Sequence, residues 1–73
     1  MRVLLLGAGH IGQTIARLLH GSGDFAVTVA DRNLEALNRL HTQQIATLIV
    51  DIDHAAQLSS AMHGYDAVIN ALP

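Results

Sequence analysis

Gly7-Ala8-Gly9-His10-Ile11-Gly12 has the form G-x-G-x-x-G. A run of this kind lets backbone amides approach an anion with no side chain in the way. The match alone is weak, because six glycines in 73 residues sometimes fall at these spacings. Its surroundings strengthen it. The run leaves an apolar segment, Val3-Leu4-Leu5-Leu6, and enters a stretch of helical periodicity. An acidic residue, Asp31, stands about 20 residues further on, at the end of the next β-branched segment. Together these are the conditions of the fingerprint that holds a dinucleotide pyrophosphate, and a glycine-rich turn that binds nothing is the weaker alternative. Gly7 makes the tight turn, Gly9 leaves room for the pyrophosphate, and Gly12 lets the helix lie close to the sheet. Amides near His10 and Ile11 lack intrahelical partners and face the phosphates.

Asp31, an acceptor when ionised, suits the two ribose hydroxyls of NAD and repels a 2′-phosphate. Arg32 beside it stacks on the adenine, reaches a 2′-phosphate if Asp31 swings away, or is a solvated surface residue. The balance tips towards NAD over NADP.

The elements that must position these residues follow from apolar spacing. Val3 to Leu6 reads as a strand buried on both faces. A helix from His10 to His20 places Ile11, Ile15, Leu18 and Leu19 on one face, and Gly21-Ser22-Gly23 stops it. Phe25 to Ala30 is strand two. Asn33 caps a helix through about His41, with Leu34, Leu37 and Leu40 on its buried side. Ile45 to Val50 is strand three. Asp53 caps a short helix through His63, with Leu58, Ala61 and Met62 inward and Gly64 closing it. Ala67 to Ala71 is strand four. Tyr65 reads as a packing aromatic with its hydroxyl outward.

The order β-α-β-α-β-α-β, with strands read as solid apolar runs, predicts an α/β fold: the first half of a Rossmann-like doubly wound parallel sheet, expected strand order 3-2-1-4. Residues 1–73 form one domain at most. Ligands of such sheets lie beyond the carboxyl ends of the strands. That puts Asp51 and Ile52 near the adenine, with a loop or capping role for Asp51 equally open. It puts Asn70, Ala71, Leu72 and Pro73 near the ribose that leads to the nicotinamide.

No catalytic constellation stands out. His20, His41 and His63 each fall in the last turn of a predicted helix, where a donor or cation complements the free carbonyls. They form no pair with metal-ligand spacing, so no metal site is expected. His10 reads as an exposed position rather than a contact to pyrophosphate or substrate. Asp51, Asp53 and His54 form a polar cluster that capping and solvation explain without Mg²⁺. Ser22, Ser59 and Ser60 lack a nucleophile-elbow context.

Composition narrows the rest. Hydrophobic residues make up 51% and charged residues 14%, against about 25% charged in an ordinary soluble domain. The mismatch suggests a slab cut from something larger. The absence of cysteine fits a reducing, cytoplasmic setting. A net charge of −2 with four basic residues leaves no footprint for nucleic acid, and no apolar run reaches the roughly 18 residues of a membrane span.

Three segments carry a family resemblance: Val-Leu-Leu-Leu-Gly-Ala-Gly-His-Ile-Gly, Val-Thr-Val-Ala-Asp-Arg-Asn and Gly-Tyr-Asp-Ala-Val-Ile-Asn-Ala-Leu-Pro. Together the chain resembles the N-terminal cofactor domain of the saccharopine dehydrogenase family, over essentially its whole length. The closing Asp-x-Val-Ile-Asn-Ala-Leu-Pro is the more specific part. The resemblance implies an NAD(P)-dependent oxidoreductase acting on a C–N bond of an amino acid or polyamine precursor. It implies that Gly7, Gly9, Gly12 and Asp31 hold the cofactor while Asn70 to Pro73 flank its nicotinamide half. Substrate-binding and catalytic residues are expected on a domain beyond residue 73. A second reading, from another class, is a non-catalytic nucleotide-sensing module like the regulatory domains of potassium-transport systems; the Asn-Ala-Leu-Pro ending favours the dehydrogenase. For residues 1–73 alone the expectations are no turnover and at most weak dinucleotide binding. A bare apolar strand four predicts self-association into a homo-oligomer, or a longer chain that covers it.

Overall fold

The computed structural model describes residues 1–51 and 53–72. The elements are β1 (Arg2–Leu6), α1 (His10–Ser22), β2 (Ala26–Asp31), α2 (Leu34–His41), β3 (Ala46–Ile49), α3 (Ala55–Met62) and β4 (Ala67–Asn70). The four strands form one parallel sheet in the order β3-β2-β1-β4, the expected first half of a Rossmann-like fold. In register, Leu6 lies beside Ala30 on one flank and Asn70 on the other, so β1, β2 and β4 reach the same end of the sheet together. The glycine run begins at that end.

The two faces of the sheet are covered differently. On one, Leu5, Val27 and Val29 meet Ala16 of α1 and Ala36, Leu37 and Leu40 of α2, all buried. On the other, Leu4, Leu6, Ala30 and Val50 are buried, and Leu58 and Ala61 of α3 rest on them only half-buried. The solid apolar reading holds for β1, whose Val3 to Leu6 are all buried. It fails for β3 and β4, where no residue is fully buried. These are the outer strands of the sheet, so each has a neighbour on one side only.

Local chemistry accounts for several departures from expectation. Ile11 and Leu18 do not face the sheet and are 72% and 71% exposed. Ile15 and Leu19 do pack against the core, half-buried, and the fully buried residues of α1 are Gly12, Gln13 and Ala16, of which Gly12 and Ala16 are small enough to allow close approach. Helix α1 continues through Gly21 and Ser22, and Gly23 ends it in the left-handed conformation (φ 77°). Asn33 does cap α2, accepting the Ala36 N–H at 3.3 Å, but Leu34 lies outside the buried face. Asp53 does not cap α3. His54 occupies the N-cap position with no side-chain hydrogen bond, the helix ends at Met62, and Met62 is exposed rather than inward. His63 therefore sits at the C-cap, one residue past the helix, while His20 and His41 lie in last turns as expected. Strand boundaries also move: Phe25, Ile45, Val50 and Ala71 flank β2, β3 and β4 rather than belong to them.

At the opposite end of the sheet, the Arg2 N–H donates to Asp66 Oδ2 at 2.7 Å and its guanidinium donates to the Gly64 carbonyl at 2.6 Å. The same guanidinium lies 4.8 Å from the Tyr65 ring centroid. Tyr65 packs against the smaller core, as its expected role requires.

Candidate functional site

Three features meet at the carboxyl end of β1 and β2: the glycine run, the start of α1 and the start of α2. Gly7 turns the chain with φ 110°, a conformation that side chains strongly disfavour. A Cβ there would also lie 2.9 Å from the Ala71 carbonyl oxygen, so Gly7 is needed for the packing of the segment after β4 as well. At Gly12 an added Cβ would strike the Gly7 carbonyl oxygen. The closeness that Gly12 allows is thus between α1 and its own entry loop more than between α1 and the strands. Gly9 differs from both. It is extended (φ −71°, ψ −173°), and a Cβ there meets nothing within 4 Å. The space in front of Gly9 is open.

Gly9 accepts the first bond of α1, from Gln13 N at 2.8 Å. The N–H groups of His10, Ile11 and Gly12 therefore have no intrahelical acceptor, and they carry the positive end of a 13-residue helix.

Asp31 stands opposite. Its Oδ2 accepts the Ala8 N–H at 2.7 Å and its Oδ1 accepts the Asn33 N–H at 2.9 Å. One half-exposed carboxylate therefore ties the glycine run to the turn that opens α2. Each oxygen keeps a further lone pair for a ligand.

These groups line an open cleft of about 590 Å³, together with His10, Arg32, Arg39 and Leu72. Arg32 is largely exposed and sits 3.6 Å from Asp53 Oδ2 in a surface ion pair. Arg39 comes from the last turn of α2. His10 is exposed at the rim, and Ile11 lies outside the lining.

The structure does not bring every expected residue to the cleft. Asp51 is turned to local work: its Oδ1 accepts the Asp53 N–H at 3.1 Å, and its own N–H donates to Gln57 Oε1 at 3.2 Å. This is the loop role left open by the sequence, because a short carboxylate meets the nearest free amide, two residues on, first. Asn70 likewise bonds locally, its Oδ1 accepting the Leu72 N–H at 3.0 Å. Ala71 donates to the Leu6 carbonyl at 2.8 Å, and through its own carbonyl it packs on Gly7. Ile52 and Pro73 lie outside the described residues. Two polar cleft residues went unread in the sequence. Arg39 was missed because nothing about its position within a helix points to a ligand. Gln13 was missed because a polar residue one turn into an amphipathic helix reads as exposed, yet it is 8% exposed. Among the described residues, no group of three or more His, Asp or Glu is placed to hold a metal ion. No helix among them is long and apolar enough to cross a membrane.

A parallel β-α-β-α unit with an open glycine run, free first-turn amides and an acidic residue at the end of β2 is a dinucleotide-binding unit of the Rossmann type. The particular family follows from the sequence profile that matches residues 3–73, described as the saccharopine dehydrogenase NADP binding domain. The chain belongs to that family, as its motifs suggested. The expected preference for NAD over NADP gains no support from this membership.

Proposed function

We propose that the chain is the cofactor-binding part of an NADP-dependent oxidoreductase of the saccharopine dehydrogenase type, acting on C–N bonds of amino acids or polyamine precursors. The observation that carries this reading is the cleft, whose lining joins Gly9 and His10 at the start of α1 with Asp31 and two arginines, Arg32 and Arg39. The bound nicotinamide supplies hydride transfer, and the protein contributes binding and orientation. In this reading Gly9 and the amides of His10, Ile11 and Gly12 receive the pyrophosphate, and Asp31 accepts from a ribose hydroxyl. Arg32 and Arg39 take the 2′-phosphate, for which a planar guanidinium is the best-matched side chain. Leu72 borders the path towards the nicotinamide, with Asn70 and Ala71 beside it. The substrate is held by residues of another domain.

Calorimetric titration with NADP and NAD tests the assignment. NADP is expected to bind tighter, and Arg39→Ala to weaken NADP by about tenfold, the worth of one charge-assisted contact, with NAD unchanged. Tighter binding of NAD, or equal loss of both cofactors in Arg39→Ala, overturns the assignment of NADP.

A further inference from the structure

Among the described residues, Gln13 is the one buried polar side chain. It belongs to the second turn of α1, and helix side chains lean towards the N-terminus, so its amide reaches back over the glycine run. There Nε2 donates to the Ala8 carbonyl at 2.8 Å. Its other end is held too. Arg17 Nη2 donates to Gln13 Oε1 at 3.1 Å, and Arg17 Nε donates to Gln43 Oε1 at 2.8 Å, in the turn after α2. Ala8 is thus gripped on both flanks, its N–H by Asp31 and its carbonyl by Gln13.

The carbonyl of Ala8 and the N–H of Gly9 belong to one planar trans peptide, in which the two groups point in opposite directions. Anchoring the carbonyl on Gln13 sets the direction of the Gly9 N–H. A donor on the carbonyl also polarises the peptide and strengthens that N–H as a donor in turn. Gly9 is the residue in front of which the space is open. We infer that Gln13 is a positioning residue for the cofactor pyrophosphate: with Arg17 behind it, it orients and polarises the Gly9 amide before any ligand arrives. This inference rests on the reading of the cleft as a dinucleotide site.

Gln13→Met keeps the length and volume of the side chain and removes both hydrogen bonds. Arg17→Met, on the exposed outer end of the relay, removes the anchor of Gln13 together with the surface bond to Gln43 and leaves the core untouched. Affinity for NADP is expected to fall about tenfold in Gln13→Met and about threefold in Arg17→Met, the range of one or two lost hydrogen bonds. Affinity for 2′-AMP, which has a 2′-phosphate and no pyrophosphate, stays unchanged in both. In the ligand-free chain, NMR of Gln13→Met shows a shifted Gly9 amide resonance. NADP affinity unchanged in both variants overturns the role of Gln13 while leaving the cofactor site standing. Equal losses for NADP and 2′-AMP also overturn it, since they mark general damage to the fold. An unsubstituted chain that binds neither ligand overturns the cofactor reading, and the role of Gln13 with it.

Discussion

Helices α2 and α3 are each eight residues long and each follows a strand of the same sheet, yet they are held very differently. Helix α2 has a capping side chain, an acidic residue in its first turn, two basic residues in its last, and three buried residues. Helix α3 has none of these. The difference extends to the sheet faces beneath them, one with nine buried residues in its core and the other with four. The cleft proposed for the nucleotide is built mainly from the first face. A site that must hold amides and carboxylates in fixed directions needs a support that does not move, and closely packed helices provide it.

The largest test of this contrast is truncation of the core. Leu37→Ala and Leu40→Ala are each expected to cost about 3 kcal/mol, since both side chains are fully buried. Leu58→Ala on α3 is expected to cost about 1 kcal/mol, because that side chain is only partly buried. Urea denaturation measures all three, and equal losses would break the contrast.

Within the site face, the glycines separate folding from binding. Gly12→Ala drives a Cβ into the Gly7 carbonyl, and backbone cannot yield as a flexible side chain would, so a loss of about 2 kcal/mol in stability is expected. Gly9→Arg meets only open space. Its stability should change by no more than about 0.5 kcal/mol, while NADP binding is abolished. A destabilised Gly9→Arg, or one that still binds NADP, contradicts the assignment.

The smallest effects come from the caps. Asn33→Ala should cost about 1 kcal/mol. His54→Asp, which adds an acceptor where α3 has none, should return a similar amount or somewhat less. Thermal melts of the two variants measure both shifts, and opposite signs are the expected result.

The glycine run and Asp31 were legible because each role depends on residue type at a fixed spacing, and the βα turn that joins them is local. Asn33 was legible for the same reason: a capping side chain acts on amides three residues away. Long-range choices were less so. Ile11 and Leu18 have helical spacing, but the core takes Ala16 with Ile15 and Leu19 while Gly12 sits on the entry loop, and spacing alone cannot weigh close approach against apolar bulk. Asp51 and Asp53 lie two residues apart beside the same helix, and only the path of the backbone turns one to the local amides and leaves the other to pair with Arg32.

From the sequence by itself came the order of elements, the parallel sheet, the glycine run and its acidic partner, since all of these rest on periodicity and on conformations that few residues allow. Only the tertiary structure decided which side chains share the cleft. Arg39 and Arg32 both line it because α2 folds back along β2, and Gln13 grips the loop because α1 lies against its own entrance. Both outcomes depend on how helices pack on the sheet, and packing is settled by the whole surface in contact rather than by any one residue.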